Sequence, residues 1–264
     1  DEVGWALFGA TPTNVSFLTN RGRAYTIRIN DLPSTSGYGD PIQKYFDFDD
    51  GEQLVGAVSL DPRVIPEAVP EPDEQVSLFE EVSDASGTSE NGAPDGEEEP
   101  EDGSPAALPW LTYVSKSGNA ARVPLDQIAE ATTKNGRRYA KLDGEEDEIV
   151  HAALTTGLEN VCLASRNGRA LIFPVRQVST YKGPAKGVIA IRLEEDDEVL
   201  GAAFSDAARE GLEVETNRGR REIVRTTKFE VSNRANKGDL IIKRGHLAKA
   251  IPSPEEIKPD DEEE

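Results

Sequence analysis

The sequence is short of sulphur-containing and imidazole side chains. Its 264 residues include no methionine, one cysteine and two histidines. Because no initiator methionine is present, we expect the chain to be a piece of a longer protein. The single Cys162 cannot form an intrachain disulfide, and its apolar strand predicts a small buried hydrophobic residue. This cysteine usage fits a reducing cytoplasm.

Long apolar segments and catalytic motifs are also missing. No run of 18 apolar residues occurs, so we expect no membrane-spanning helix, and no secretory signal opens the chain. The sequence contains no G-x-S-x-G, phosphate-binding loop or dinucleotide fingerprint. His151 and His246 lie in apolar contexts without a cysteine or aspartate at ligand spacing. We therefore expect no catalytic residue, no metal and no cofactor.

The strong net charge of -21 is confined to two segments. Residues 61–106 contain 15 acids and one base, and residues 253–264 contain seven acids and one base. The rest of the chain is close to neutral. Because these segments have little apolar surface to bury, we predict a disordered acidic insertion at 62–106 and an acidic tail at 253–264.

The rest of the sequence repeats itself. Each copy has an apolar strand, a Thr/Ser-x-x-Gly turn and a second strand: VSFLTNRGRAYTIRINDLP from Val15, LTYVSKSGNAARVPLDQIA from Leu111, VCLASRNGRALIFPVRQVS from Val161 and LEVETNRGRREIVRTTKFE from Leu212. The turn glycines are Gly22, Gly118, Gly168 and Gly219, and a second glycine follows each of them: Gly39, Gly136, Gly187 and Gly238. The last three turn glycines are 50 and 51 residues apart. Self-similarity at a period of about 50 residues predicts a propeller or a solenoid.

The repeats set the predicted domain boundaries and an all-β fold class. We expect repeats at 1–61, 107–156, 157–206 and 207–252, built from antiparallel strands with the alternating pattern of half-buried strands. Residues 125–131 could form one or two helical turns. Acidic clusters, DFDDGE, DGEEDE and EEDDE, each precede an apolar run. They lack the spacing of a calcium-binding loop, and we interpret them as solvated turns.

The last repeat differs from the others in charge. Residues 212–250 contain ten bases and five acids, in a chain that is otherwise acidic. A positive strip on an acidic protein indicates a polyanionic partner. On charge alone, an ordinary solvated strand face remains an alternative.

Four segments resemble one known family. They are LTNRGRAYTIRINDLPSTSGYGDPI from Leu18, SRNGRALIFPVRQV from Ser165, PAKGVIAIRL from Pro184 and VETNRGRREIVRTTKFEVSNRANKG from Val214. Together they resemble the C-terminal domain of the A subunit of bacterial DNA gyrase and topoisomerase IV. The resemblance implies a β-pinwheel, a propeller-like ring, here with about four blades of four-stranded antiparallel sheet.

The resemblance also implies a function. Such a domain binds and wraps double-stranded DNA through its phosphate backbone, and works with the ATPase B subunit and the rest of the A subunit in the bacterial cytoplasm, associated with the nucleoid. The family's catalytic tyrosine lies in an N-terminal domain that this chain lacks, so the chain is not expected to be an enzyme on its own. The alternative is a propeller scaffold for protein–protein interaction, with the acidic insertion as a docking arm.

The predicted DNA-binding residues lie at turn tips, on outward strand positions and in the segment that resembles the family's Q-R-R-G-G-K-G box. In that segment, residues 232–238, only Arg234, Lys237 and Gly238 match the box. This departure, with four repeats, favours a topoisomerase IV-like or divergent gyrase-like protein. We expect Gly187 and Gly238 to let the backbone approach phosphate. The full predicted set is Arg21, Arg23, Arg166, Arg169, Lys182, Lys186, Arg218, Arg220, Arg221, Arg225, Arg234, Lys237, Gly238, Lys243 and Arg244.

Overall fold

The computed structural model of the chain describes residues 3–69 and 109–251 and the backbone of residues 255–257. The strands are, in chain order, β1 (Trp5–Leu7), β2 (Asn14–Thr19), β3 (Arg23–Arg28), β4 (Leu54–Ser59), β5 (Trp110–Ser115), β6 (Asn119–Pro124), β7 (Arg137–Arg138), β8 (Ile149–Thr155), β9 (Asn160–Ser165), β10 (Arg169–Pro174), β11 (Val188–Ile189), β12 (Val199–Ser205), β13 (Leu212–Thr216), β14 (Arg221–Val224), β15 (Asp239–Leu240), β16 (Leu247–Ile251) and β17 (Glu255–Ile257).

Helical structure is scarce in these residues. It consists of the four-residue helix α1 (Asp126–Ala129), within the segment 125–131 for which one or two helical turns were expected, and 3-10 turns at Ile29–Asp31, Ile42–Lys44 and Val175–Gln177. None of the helices in the described part of the chain is long and apolar enough to cross a membrane.

The strands form four antiparallel blades. Three blades have four strands, in the orders β4-β2-β3-β7, β8-β5-β6-β11 and β12-β9-β10-β15, and the fourth has three, β16-β13-β14. The predicted all-β pinwheel fold is therefore confirmed. β1 and β17 form a separate parallel pair, with Ala6 opposite Glu256.

The outermost strand of each four-stranded blade comes from the following repeat. β7 pairs with β3, β11 with β6 and β15 with β10, two residues in each case. We call these short strands covering strands. In the described residues the fourth blade has three strands instead of the expected four.

The turn that leads into each covering strand requires glycine. Gly187 has a φ of +91°, and a Cβ placed on it would lie 2.1 Å from the carbonyl oxygen of Ala120 on β6. A Cβ on Gly238, whose φ is +71°, would lie 2.3 Å from the carbonyl oxygen of Ala170 on β10. Both positions therefore need a residue that tolerates positive φ and leaves room for a neighbouring backbone.

Apolar clusters join neighbouring blades. One contains Leu18, Leu111 and Tyr139 from the first and second repeats, and another contains Val114, Leu163 and Phe173 from the second and third. The third cluster contains Cys162, Ile172, Val214 and Val224 from the third and fourth repeats, which confirms that Cys162 is buried. Residues of the innermost strands β4, β8, β12 and β16 line a cavity together with residues 3–5 and with Glu213, Arg221 and Ile223 of the fourth blade.

Strand β3 is buried on both faces, so the alternation of buried and exposed residues expected of a half-buried strand is wrong for it. Tyr25 is buried, and its neighbour Thr26 is also buried, at 1% exposure, because the Thr26 hydroxyl donates to the carbonyl of Ile128 in the next repeat at 2.8 Å. The strand ends at Arg28, and Ile29 begins a 3-10 turn. Middle strands lie between two blades, so their polar positions are covered as well.

The ends of the predicted acidic segments contact the fold. Residues 62–69, which the sequence analysis assigned to the insertion, pack against it: Val69 donates its N–H to the carbonyl of Thr156 at 2.9 Å, and the Arg63 guanidinium lies 4.6 Å from the Phe8 ring centroid. Residues 255–257, assigned to the tail, form β17. The remaining residues of both segments, including most of the docking arm of the scaffold hypothesis, lie outside the described residues.

Candidate nucleic-acid interface

The hairpin turns of the four blades share one geometry. We call residues 20–22, 116–118, 166–168 and 217–219 the hairpin turns, and the residues before each innermost strand, 49–53, 143–148, 194–198 and 243–246, the pre-strand loops. In every blade the turn glycine donates its N–H to the backbone carbonyl of the Thr or Ser three residues earlier, at 2.9–3.0 Å. The first turn residue donates to a carbonyl of the pre-strand loop in its own blade, in the pairs Asn20–Gln53, Lys116–Glu148, Arg166–Glu198 and Asn217–His246.

The turns are also linked from blade to blade. The carbonyls of Asn20, Lys116 and Arg166 accept N–H groups from the first residue of the next innermost strand, each at 2.8 Å. The donors are Ile149, Val199 and Leu247. The four turns therefore form one continuous arc on one face of the molecule, held by the backbone and independent of side-chain charge.

Acidic side chains of the pre-strand loops cap the turns in the first three blades. Glu52 accepts from the Thr19 hydroxyl at 2.6 Å, Asp147 from the Ser117 N–H at 2.8 Å, and Asp197 from the Asn167 N–H at 2.9 Å. Glu52 and Asp147 are only 7% and 5% exposed. The interpretation of these clusters as solvated turns was therefore wrong at these positions, because the carboxylates satisfy hydrogen-bond donors of the hairpin in their own blade.

Other acids of the same regions pair with predicted DNA-binding cations. Arg166 lies 2.5 Å from Glu198, and Lys116 of the preceding blade also contacts that carboxylate, at 3.1 Å. Burial alone would raise the pKa of Glu198, but hydrogen bonds from Lys116 and Arg166 outweigh it and lower its pKa. The remaining pairs are Arg21–Glu148 at 3.6 Å, Arg23–Asp49 at 3.1 Å, Arg169–Glu194 at 3.2 Å and Lys186–Asp143 at 2.7 Å.

The fourth blade has a basic pre-strand loop. Its sequence is Lys243-Arg244-Gly245-His246, so Gly245 occupies the position of Asp147 and Asp197. Gly245 has a φ of +95°, and a Cβ there would lie 2.7 Å from the Asn217 side-chain oxygen. Arg218, Lys243 and Arg244 are exposed and form no ion pair with another described residue.

The outer strand of this blade carries partly compensated charges. Arg220 lies 2.5 Å from the buried carboxylate of Glu222, which also pairs with Lys228. The Lys228 hydrogen bond is the main reason that the pKa of Glu222 lies below its ordinary value. Arg221 lies 3.3 Å from Glu213, and the Arg225 guanidinium donates to the carbonyl of Arg209 at 3.2 Å. Arg220, Arg221 and Arg225 therefore already make contacts within the domain.

Comparison with known proteins places this arrangement in a family. The sequence model described as "DNA gyrase C-terminal domain, beta-propeller" matches residues 13–61, 114–156 and 159–206. The matched residues form most of the first three blades and make up more than half of the chain. The chain belongs to this gyrase C-terminal domain family. The fourth blade lies beyond the matched residues.

Similar sequences agree with the assignment to the gyrase family. The chain is 25% identical over 239 residues to the DNA gyrase A subunit of Staphylococcus epidermidis, and 27% identical over 241 residues to that of Staphylococcus aureus. Each alignment covers 90% of this chain and 22% of the relative. The chain thus spans about a fifth of the length of these gyrase proteins.

Solved structures agree with the pinwheel fold. A C-terminal domain of DNA topoisomerase IV superposes with a TM-score of 0.69 at 19% identity, covering 94% of this chain and 65% of that one. The E. coli ParC C-terminal domain gives 0.61 at 15% identity, with 92% and 82% covered. A DNA gyrase A C-terminal domain gives 0.58 at 16% identity, with 96% and 75% covered.

The segment of this gyrase-type domain that resembles the box lies against the second and third blades. Arg234 donates its backbone N–H to the Gln177 side chain at 2.8 Å, and its guanidinium donates to the carbonyl of Ile189 at 3.1 Å. Lys237 is exposed without an ion pair among the described residues. Gly238 packs against the Ala170 carbonyl, so blade packing requires a glycine at this position, and the expected approach to phosphate stays a prediction.

Two solvent-exposed arginines of this gyrase-type domain were not predicted from the sequence. Arg137 and Arg138 form the covering strand β7 and are exposed; Arg137 lies 3.1 Å from Glu130, while Arg138 has no ion pair with a described residue. Arg137 and Arg138 directly follow Gly136, just as Asp239 directly follows Gly238. Alignment of the repeats on these glycines could therefore have identified the two arginines. The predicted Lys182 is exposed near the next covering strand and is likewise unpaired among the described residues.

Proposed function

We propose that this chain is a sequence-nonspecific DNA-binding domain from the A subunit of a bacterial type IIA topoisomerase. The observation that supports the proposal most directly is the group of exposed cations Arg218, Lys243 and Arg244 on a gyrase-type pinwheel, which form no ion pair with a described residue. Exposed Lys and Arg side chains release counterions when they contact phosphates, and this release drives nonspecific affinity.

The shapes of the cationic elements favour phosphate contact over base reading. The candidate residues lie on hairpin turns, loops and strand edges, and α1, with four residues, is the longest helix in the described part of the chain. Base-specific recognition needs an element that enters a groove, whereas phosphate contacts only position the duplex. We therefore expect unrelated sequences to bind equally well.

The curved row of blades is suited to bent DNA. Bending a site of 20–30 base pairs by 40–90° costs roughly 1–6 kcal/mol, which several phosphate contacts can offset. In the complete protein such a domain would present DNA to the strand-passage machinery and so contribute to control of supercoiling, together with the ATP-hydrolysing B subunit and the rest of the A subunit. On its own it would not cleave DNA.

The type of topoisomerase is part of the proposal. The segment 232–238 differs from the family's Q-R-R-G-G-K-G box at all but three positions, and the chain has four repeats. Both features favour a topoisomerase IV-like or divergent gyrase-like protein. It would act in the bacterial cytoplasm, on nucleoid DNA.

Fluorescence anisotropy with several unrelated 40-base-pair duplexes would test the proposal. We expect similar affinities for all of them at low salt and a linear fall of log affinity with log salt concentration. Absence of binding at low salt, or strong preference for one duplex, would contradict a nonspecific DNA-binding function. Relaxing a closed plasmid with a nicking-closing enzyme in the presence of the domain would then measure wrapping as a change in linking number.

A further inference from the structure

The fourth blade departs from the pattern of the other three at three places. Its pre-strand loop is basic, its outer strand has no covering strand in the described residues, and an arginine occupies a position that is alanine in the other three repeats. All three departures lie in the fourth blade. Blades one to three combine acidic loops with covering strands.

The pre-strand loops can be compared position by position because their backbone hydrogen bonds are equivalent. Gln53, Glu148, Glu198 and His246 each offer a carbonyl to their own hairpin turn. At the preceding position the acids Glu52, Asp147 and Asp197 correspond to Gly245. The fourth loop thus has no side chain that could cap its turn with a carboxylate.

The outer strands can be compared in the same way, from the turn glycine. The residue two positions after it is Ala24, Ala120 or Ala170 in the first three blades, and each is buried beneath a covering strand at 0–1% exposure. In the fourth blade this position is Arg221, which is exposed. A charged residue on a free strand edge opposes strand addition, so this edge is suited to remain open to solvent.

A phosphate group would meet different surroundings at each hairpin turn. At the first three turns it would approach cations that already contact a carboxylate, such as Arg21 beside Glu148 or Arg166 beside Glu198. At the fourth turn it would approach Arg218, Lys243 and Arg244, with no acid from the pre-strand loop between them. Like charge repels within the Debye length of about 10 Å at 0.1 M salt, so the acidic loops disfavour phosphate locally.

From this difference we infer that the tip of the fourth blade is the principal phosphate-contacting site for duplex DNA, and that the acidic pre-strand loops keep phosphate away from the other three turns. The inference rests on the proposed DNA-binding function and adds a location to it. DNA is then anchored at one end of the arc of turns, not held evenly around it.

Charge reversal tests the location. The variant Lys243→Glu with Arg244→Glu restores an acidic loop to the fourth blade. The control, Arg28→Glu with Arg176→Glu, makes the same change in net charge at two exposed positions. Arg28 is the last residue of β3 and Arg176 follows β10, so both lie at the strand ends that are farther from the hairpin turns. We expect the loop variant to bind a 40-base-pair duplex at least tenfold more weakly, and the slope of log affinity against log salt to fall by roughly 0.9 for each phosphate that the protein no longer touches. The control should retain the parent slope.

The reverse experiment neutralises the acidic loops. Glu148→Gln with Glu198→Gln should release Arg21, Lys116 and Arg166 and raise duplex affinity. The matched variant Asp31→Asn with Asp126→Asn, at exposed acids away from the turns, should raise it less. Lysine acetylation provides an independent readout: bound duplex should protect Lys243 and leave Lys116 unprotected.

The outcomes separate the two proposals. If the parent protein binds duplex DNA but the loop variant and its control weaken binding equally, only net charge matters and the inferred site is wrong. Equal protection of Lys116 and Lys243 would overturn it as well. If the parent protein does not bind duplex DNA at low salt, the proposed function itself fails. Thermal melting of each variant checks that affinity changes do not result from unfolding.

Discussion

The Arg122 guanidinium on β6 donates through Nε to the backbone carbonyl of Val178 in the next repeat, at 2.8 Å. The side chain is 2% exposed, and the Trp110 ring centroid lies 5.8 Å from its guanidinium carbon. In the preceding blade, Thr26 makes the corresponding bond to Ile128. A side chain four residues after the turn glycine therefore joins each of these two blades to the next.

Replacing Arg122 with alanine should destabilise the fold. The change leaves a cavity and a buried carbonyl without its donor, and we expect a loss of about 3 kcal/mol in the free energy of unfolding. Urea denaturation would measure it. Arg28→Ala, at an exposed position on β3, should change stability by less than about 0.5 kcal/mol. Similar losses in both variants would show that the bond from Arg122 to Val178 contributes little.

Two glycines with similar backbone angles should respond differently to alanine. Gly39 and Gly187 have φ values of +74° and +91°, but a Cβ on Gly39 would meet no atom within 4 Å, whereas one on Gly187 would lie 2.1 Å from a carbonyl oxygen. Gly39→Ala should cost only the positive-φ strain, roughly 1–2 kcal/mol. Gly187→Ala should cost at least about 2 kcal/mol more, because β6 and its covering strand must separate. Equal melting temperatures of the two variants would contradict the close packing of the covering strand.

These two glycines also show how far the sequence predicts the fold. The repeated glycines and Thr/Ser-x-x-Gly turns specify backbone conformation locally, so the hairpins and the four repeats could be found without the structure. The exchange of covering strands could not, because β7, β11 and β15 are two residues long and pair with strands of another repeat. Gly39 has the same local pattern without a covering role in the described residues, and only the three-dimensional arrangement distinguishes it.

For the candidate site too, the sequence predicts local features but not tertiary contacts. Arg166 and Arg218 both lie in a Gly-containing turn beside other bases, and the sequence analysis treated them alike. Among the described residues, a carboxylate contacts Arg166 but not Arg218, because Glu198 comes from a pre-strand loop 32 residues away from Arg166 along the chain. The sequence therefore predicted which residues are cationic and near a turn, but not which of them are already paired.

Glu222 should make stability depend on pH. Its pKa is lowered in the folded protein by the hydrogen bond from Lys228 and by nearby Arg220, against the effect of burial. A glutamate with a depressed folded-state pKa contributes stability above its unfolded pKa of about 4.3, and this contribution is lost as the pH falls through the folded-state pKa. Glu222→Gln should therefore be less stable than the parent at pH 7, with a difference that shrinks toward pH 3. Urea midpoints across this range would measure it, and a constant difference would exclude the pairing as its cause.

The last prediction concerns the acidic end of the chain. Residues 258–264 contain five acids and one base and lie outside the described residues, after β17. If these acids compete with phosphate for the cationic surface, removing 258–264 should raise duplex affinity, and most strongly at low salt, where screening is weakest. The truncation leaves β17 intact, which a cut at residue 254 would not. A full-length control with the five acids changed to Asn and Gln separates charge from chain length: both variants should bind more tightly in anisotropy measurements at 50 mM salt and converge on the parent at 300 mM. Unchanged affinity at low salt would mean that the tail does not compete with DNA for the cationic surface.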